Sequence, residues 1–222
     1  MFAPPVIFYG GFPMTSYQTI ARPAAEEFVE RRSRFIGTVR PVKAEEEAIA
    51  FIEEMRSKYW DATHNVYAYS LREGNIRRYS DDGEPQGTAG VPTLDVLQKS
   101  GVTDAAVVVT RYFGGVLLGA GGLVRAYSHA ASLALQAGTI LTMQLCKTAN
   151  LVCDYNQYGR VSALIPECGG VIEDAQFTDC VEIAFHMAEE NLPALSRRLA
   201  DATCGQVEAQ VTGERFVAVS GA

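Results

Sequence analysis

Two stretches of the sequence carry residue types whose spacing could do chemistry. In the first, the run Val107-Val108-Val109-Thr110-Arg111-Tyr112-Phe113 enters a loop holding Gly114, Gly115, Gly119, Gly121 and Gly122, and a helical pattern follows at once. A strand that passes through glycines into a helix brings exposed backbone N–H groups up to an anion. In the second, Tyr79 to Gly90, the carboxylates of Asp81, Asp82 and Glu84 fall within four residues, ahead of Gly87 and Thr88. Such a cluster could hold Mg²⁺, although its spacing fits no calcium loop. A hairpin-to-helix loop capped by Asp or Thr explains the same residues.

Known phosphate motifs do not fit the glycine loop. A nucleotide P-loop ends in Gly-Lys-Ser/Thr, whereas Gly121-Gly122 is followed by Leu123. The dinucleotide pattern G-x-G-x-x-G is met by Gly119 and Gly121 but places Val124 third, and no acidic residue stands between Asp104 and Asp154 to hold a ribose. Two readings stay open: an anion site built from Gly119, Gly121 and Gly122 with Arg111 and Arg125, or tight strand-to-helix packing. If the two glycine loops meet in space, they frame one cleft lined by His64, Asn65, Asp81, Asp82, Glu84, Gly87 and Thr88.

Nucleophilic catalysis has little support. There is no G-x-S-x-G elbow and no Cys-Gly-x-Cys signature, and His129 and His186 lie far along the chain from His64. His64 is expected to be a hydrogen-bonded, cleft-lining residue, with general-base chemistry as the alternative. No metal site or cofactor is expected. The five cysteines, Cys146, Cys153, Cys168, Cys180 and Cys204, form no C-x-x-C pair, and their odd count and apolar neighbours suggest core thiols.

Charge is unevenly distributed. Residues 1–137 hold 14 Lys and Arg against 15 Asp and Glu, while residues 138–222 hold 5 against 11. Contact with a polyanion therefore belongs to the first part of the chain. There, Arg31 to Lys43 carries five basic residues and no acidic one, which makes Arg34 and Arg40 candidates for a phosphate-contacting edge. A solvated strand pair is the other reading of that stretch.

The elements that position these residues can be read from periodicity. Strands are expected at 18–21, 26–30, 33–42, 61–71 and 104–113, with helices at 44–59, 91–99 and 123–137. Ala105 to Val109 is apolar on both faces and should be central in its sheet. After Gly138 the pattern restarts as strand, helix, strand, strand, helix, strand. Tyr158, Val161, Leu164, Ile165 and Cys168 form one helix stripe, and Leu192, Leu195, Leu199 and Ala202 the other. This βαββαβ order suits a ferredoxin-like sheet covered by two helices. The expected division is an extension at 1–14, a first domain at 15–138 and a second at 145–222. The first 13 residues lack Lys and Arg and contain three prolines, which argues against a signal peptide, and no segment is apolar and long enough to span a membrane. A cytoplasmic protein is expected.

The motifs Ser33-Arg34-Phe35-Ile36, His64-Asn65 with Ala68-Tyr69, Asp81-Asp82-Gly83-Glu84-Pro85 with Gly87-Thr88-Ala89-Gly90, and Arg111-Tyr112-Phe113-Gly114-Gly115 with Gly121-Gly122-Leu123-Val124-Arg125-Ala126-Tyr127 resemble the IMPACT/YigZ family. They follow the family's order across residues 15–137, and the remainder resembles the second domain of bacterial members. Gln86 departs from the small residue more usual there. The resemblance implies an α+β protein. Its first domain would share a βαβ fold with a small-subunit ribosomal protein, with elongation factor G domain four and with small-molecule kinases. Its second, ferredoxin-like domain would be similar to elongation factor G domain five. Eukaryotic relatives act in translational control through protein contacts, aided by a preceding domain that this sequence lacks. The expected function is that of a translation-associated regulator, a binding protein rather than an enzyme, whose partner is RNA, the ribosome or a translation-related protein. The alternative is an enzyme or sensor taking a small phosphorylated or nucleotide ligand at the glycine-rich loop.

Overall fold

A computed structural model describes residues 15–219, together with the backbone of two short antiparallel strands, β1 (Phe8–Tyr9) and β2 (Phe12–Pro13). Apart from that pairing, the expected extension at 1–14 lies outside the described residues. The chain forms two compact units, with residues 17–142 in one and residues 143–219 in the other.

After β3 (Ser16–Ile20), the unit at 17–142 runs β4 (Ala24–Glu30), β5 (Ser33–Pro41), α1 (Glu45–Lys58), β6 (His64–Leu71), β7 (Ile76–Ser80), α2 (Gly90–Lys99), β8 (Ala105–Tyr112) and α3 (Ala120–Gly138). Five strands form an antiparallel sheet in the order β4-β5-β8-β6-β7. The doubly apolar run in β8 is the central strand, as its composition requires. Alternation along the strands divides the core in two. Phe35, Val39, Val66, Ala68, Val107 and Val109 face α2 and α3, while Tyr69, Leu71, Ala106 and Val108 face α1.

Each helix follows from its pattern. α1 opens on Glu45, Glu46 and Glu47, which suit the positive end of the helix dipole, and buries Ala48, Phe51, Ile52 and Met55. α3 presents Ala126, Ala130, Ala131 and Ala134 to the sheet, so the backbones approach closely. A Cβ on Gly37 of β5 would stand 2.2 Å from the Ala130 carbonyl oxygen. The first turn of α3 includes Gly121 and Gly122, three residues earlier than periodicity predicts, because Gly119 already accepts from the Leu123 N–H. β7 is an addition to the expected elements. Its Arg77-Arg78 pair lies on a sheet edge, where no alternating apolar pattern is needed.

The unit at 143–219 contains most of β9 (Ile140–Cys153), then α4 (Tyr155–Glu167), β10 (Val171–Phe177), β11 (Val181–Met187), α5 (Leu192–Thr203) and β12 (Gln210–Val219), with the sheet order β10-β11-β9-β12. Asp154 and Gln157 close a capping box at the start of α4. The two helix stripes meet Leu151, Ile183 and Phe185 in one core with Val161, Ile165, Leu195 and Leu199. Of the cysteines, Cys146 and Cys153 are buried, but Cys168 and Cys180 are half-buried and Cys204 is exposed. The expectation of five core thiols is corrected there, because Cys204 is the left-handed residue that ends α5, beyond the helix's buried stripe.

Candidate functional site

Both loops singled out from the sequence, 81–90 and 113–119, lie at one end of the five-stranded sheet, where β8 ends, β6 begins and α3 starts. Between them sits a buried polar cluster. Glu84 is 3% exposed at its side chain, and its Oε1 accepts from Nη1 of Arg111 at 2.5 Å and from the Tyr127 hydroxyl at 2.7 Å. Burial, reinforced by the Glu84 carboxylate, pushes the Tyr127 phenol well above its ordinary pKa. His64 Nε2 lies 3.8 Å from the same carboxylate oxygen, while Nδ1–H donates to the Asp82 carbonyl at 2.7 Å. That bond makes His64 a hydrogen-bonded residue whose Nδ1 carries the proton.

The remaining acidic residues build the loop. Asp81 accepts from the backbone N–H groups of Gly87, Ala89 and Gly90, which ties the loop to the start of α2. Asp82 accepts from the Asn65 N–H at 2.6 Å, and Asn65 in turn accepts from the Thr110 hydroxyl at 2.8 Å. Thr88 donates to the Pro85 carbonyl. These bonds realise the capped-loop reading, since the three carboxylates point to three different sets of donors. Among the described residues, no group of His, Cys, Asp and Glu has the geometry of a metal site.

The basic candidates do not converge, because strand alternation separates them. Arg111 shares the α3-facing side of β8 with Val107 and Val109, and its register partner is Phe35. It is 5% exposed, its Cζ lies 5.5 Å from the Phe35 ring centre and 5.4 Å from that of Phe113, and its Nε is buried without a hydrogen-bond partner. Arg34 and Arg40 point to the other face. Arg34 binds Glu27 through Nε and Nη2, and Arg40 makes two 2.7 Å bonds to Glu54. Of the residues expected at an anion-contacting surface, Arg111 is thus interior, while Arg34 and Arg40, expected on a phosphate-contacting edge, are each held by a carboxylate.

A different cationic surface forms nearby, from Arg31 and Arg32 at the start of the basic stretch and from Arg125, already a candidate beside the glycines. Arg31 and Arg32 occupy the two-residue turn between β4 and β5, with φ of 45° and 67°. That left-handed pair is the geometry of a tight hairpin turn, which Asn and Gly usually fill. Two neighbours hold it in place. Gly114 presses on Arg32 so closely that a Cβ would stand 2.0 Å from the Arg32 carbonyl oxygen, and the Gly114 N–H donates to Ser33 Oγ at 3.2 Å. Arg111 Nη2 reaches the same hydroxyl at 3.4 Å. The buried cluster thus braces the arginine turn through Ser33.

Arg125, on the first turns of α3, completes the surface. Among the described residues no carboxylate pairs with Arg32 or Arg125, and Arg31 meets only Glu30, at 4.0 Å. The glycines divide by position. Gly115 and Gly119 have φ of 80° and 72° in the loop, whereas Gly121 and Gly122 lie in the helix, whose start has no side-chain cap. Around them Phe113, Val116 and Leu117 remain exposed, Leu117 at 81%. Ser33 and Tyr127 were legible only through register: the strand that buries Val107 and Val109 must bury Arg111 too, and so requires partners.

Residues 31–135 match the Impact N-terminal domain, and residues 151–206 match a domain of unknown function, DUF1949. The IMPACT family member YvyE of Bacillus subtilis is 37% identical over 86% of this chain and 88% of its own length. This chain belongs to the IMPACT family. The family member YigZ of Escherichia coli is 34% identical, over 88% of this chain and 97% of the relative. A Dictyostelium discoideum protein named IMPACT homolog is 37% identical, but over only 47% of this chain and 30% of its own length. A solved structure described as a crystal structure of an hypothetical protein has a TM-score of 0.57 and 33% identity, covering 91% of this chain and all of that one. Both loops and the arginine turn of this IMPACT family member fall within residues 31–135.

Proposed function

We propose that this IMPACT family member is a cytoplasmic, translation-associated regulator that binds RNA of the ribosome through the end of the sheet bearing Arg31, Arg32 and Arg125. The observation that carries the reading is the arginine turn: two consecutive left-handed, non-glycine residues are costly, and such strain persists where the surroundings hold it for a purpose. Here Gly114, Ser33 and Arg111 do the holding, and among the described residues the guanidinium groups have no strong carboxylate partners. Phosphate recognition needs cations in that condition. Exposed Phe113 and Leu117 add apolar surface beside them. The family resemblance supports the same direction, since the first domain is similar to elongation factor G domain four and the second, taken as ferredoxin-like, to domain five. The role of the eukaryotic relatives is not carried over whole, because the alignment with them spans less than a third of their length.

The test is co-sedimentation of the full chain with ribosomes and ribosomal subunits across a salt series. Salt-sensitive binding is expected, lost in an Arg31→Glu, Arg32→Glu, Arg125→Glu variant and kept in Arg40→Gln. Absence of co-sedimentation at low salt overturns the reading.

A second reading rests on the uncapped start of α3, where the N–H groups of Ala120, Gly121 and Gly122 have no intrahelical acceptor. A small phosphorylated ligand held there would make the chain a sensor or an enzyme. A thermal-shift screen with nucleotides and Mg²⁺ tests it, with ~2.7 kcal/mol of stabilisation expected at a hundredfold excess over Kd.

A further inference from the structure

A groove of about 250 Å³ runs between edge strand β4 and helix α3 within the first unit, walled by Phe28, Glu30, Arg31, Leu118, Arg125 and His129. Its walls differ in chemistry along its length. Arg31 and Arg125 supply two cations, and among the described residues Arg125 has no ion-pair partner. Phe28 and His129 supply an aromatic corner, with ring centres 4.7 Å apart and planes at 71°. Phe28 is backed by stacking on Phe35 at 5.3 Å. The imidazole of His129 is exposed and makes no hydrogen bond among the described residues. Glu30, the one anion in the lining, is an acceptor for hydroxyl or amino groups.

We infer that this groove binds a single nucleotide unit, with its phosphate between Arg31 and Arg125 and its base on the aromatic corner of His129 and Phe28. Cationic groups that track the phosphate, beside aromatic rings that take the base, are how proteins hold single-stranded nucleic acid without reading its sequence. Glu30, whose carboxylate lies 4.0 Å from Arg31 Nε, offers the sugar hydroxyls an acceptor next to the phosphate position. The groove is smaller than the roughly 300–1,000 Å³ of sites for drug-sized ligands, a size that suits one nucleotide better than a dinucleotide cofactor. A phosphopeptide would use the arginines and leave the aromatic corner idle. The inference rests on the reading of the protein as an RNA binder, and it names the place where one base is seated.

The test uses the full chain, an end-labelled hexauridylate and uridine 5′-monophosphate, with fluorescence anisotropy and competition as readouts. His129→Ala should weaken hexauridylate binding about tenfold, as loss of a stacking partner does, with at most a small fall in melting temperature from the lost edge contact with Phe28. Arg125→Glu should weaken it at least as much and flatten the salt dependence. Competition by the monophosphate at comparable concentration identifies the ligand as a free nucleotide, and its failure to compete identifies a nucleotide within a chain; both support the groove. Inorganic phosphate competing as well as the nucleotide, or a phosphopeptide binding better, overturns the assignment. So does hexauridylate affinity indifferent to both variants. If ribosome co-sedimentation survives His129→Ala and Arg125→Glu but is lost on reversal of Arg32, the translational reading stands and the groove assignment falls.

Discussion

Glu84 Oε1 lies 2.5 Å from Arg111 Nη1, with both side chains almost wholly withdrawn from solvent. The two residues come from different parts of the first unit, a loop ahead of α2 and the end of the central strand. Their bond closes the end of the sheet, and the Tyr127 hydroxyl gives the carboxylate a second donor. Removing one partner strands a buried charge, which costs far more than removing both. Glu84→Gln and Arg111→Met are each expected to destabilise the first unit by about 3–5 kcal/mol. The double variant should lose clearly less than the sum of the two. Urea unfolding of the three variants checks this, and strict additivity would contradict it.

High pH should act through Tyr127. Its folded-state pKa is raised by burial and then by Glu84, so the folded chain keeps the phenolic proton when the unfolded chain releases it. The unfolded state then binds fewer protons, and stability is fully present below about pH 10 and falls as pH rises beyond it. Ultraviolet titration should show a tyrosine that ionises only with unfolding. In Tyr127→Phe this alkaline loss is expected to be shallower, although stability at neutral pH drops because Glu84 loses a donor.

Asp81 accepts from three backbone N–H groups, so Asp81→Ala releases them together. A cost of about 1–2 kcal/mol is expected, as for the loss of a helix cap. Hydrogen exchange should locate it, with faster exchange at Gly87, Ala89 and Gly90 and little change in β5.

Gly114→Ala tests the bracing of the arginine turn. The added carbon would stand 2.0 Å from the Arg32 carbonyl oxygen, so the loop or the turn must shift. A loss of about 1–3 kcal/mol is expected. Ribosome affinity should fall as well, although no charge has changed. Unaltered affinity in a folded Gly114→Ala protein would show that the turn's geometry is irrelevant to binding.

Arg40 provides the contrast. Its bidentate pair with Glu54 is partly exposed and lies on the α1 face. Arg40→Ala should cost no more than about 1 kcal/mol and leave binding intact, and equilibrium unfolding with the sedimentation assay checks both.

The fold was legible where burial leaves a period. Ala105 to Val109 announced the central strand, Tyr67 and Tyr69 alternate against Val66 and Ala68 as expected, and the two helix stripes of the second unit pack into one core. β7 was illegible because an edge strand with Arg77 and Arg78 exposed needs no apolar alternation. The site was legible as two loops but not as a set of contacts. Composition marks Arg111 as a surface cation, and only its register with Val107 and Val109 reveals that it faces inward. The partners of Arg34 and Arg40, Glu27 across the β4–β5 hairpin and Glu54 on α1, follow from register and helix packing rather than from composition, while Arg31 and Arg32 gained their importance from a turn conformation that composition does not disclose.

The five-stranded sheet leaves two margins, β4 and β7, with unpaired backbone groups. β4 carries Glu26, Glu27 and Glu30, and β7 carries Arg77 and Arg78. A chain seeking to extend either margin must desolvate or confront those charges, which guards against the runaway strand addition that leads to aggregation. Neutralising Glu26, Glu27 and Glu30 would remove that guard from the strand that forms one wall of the groove.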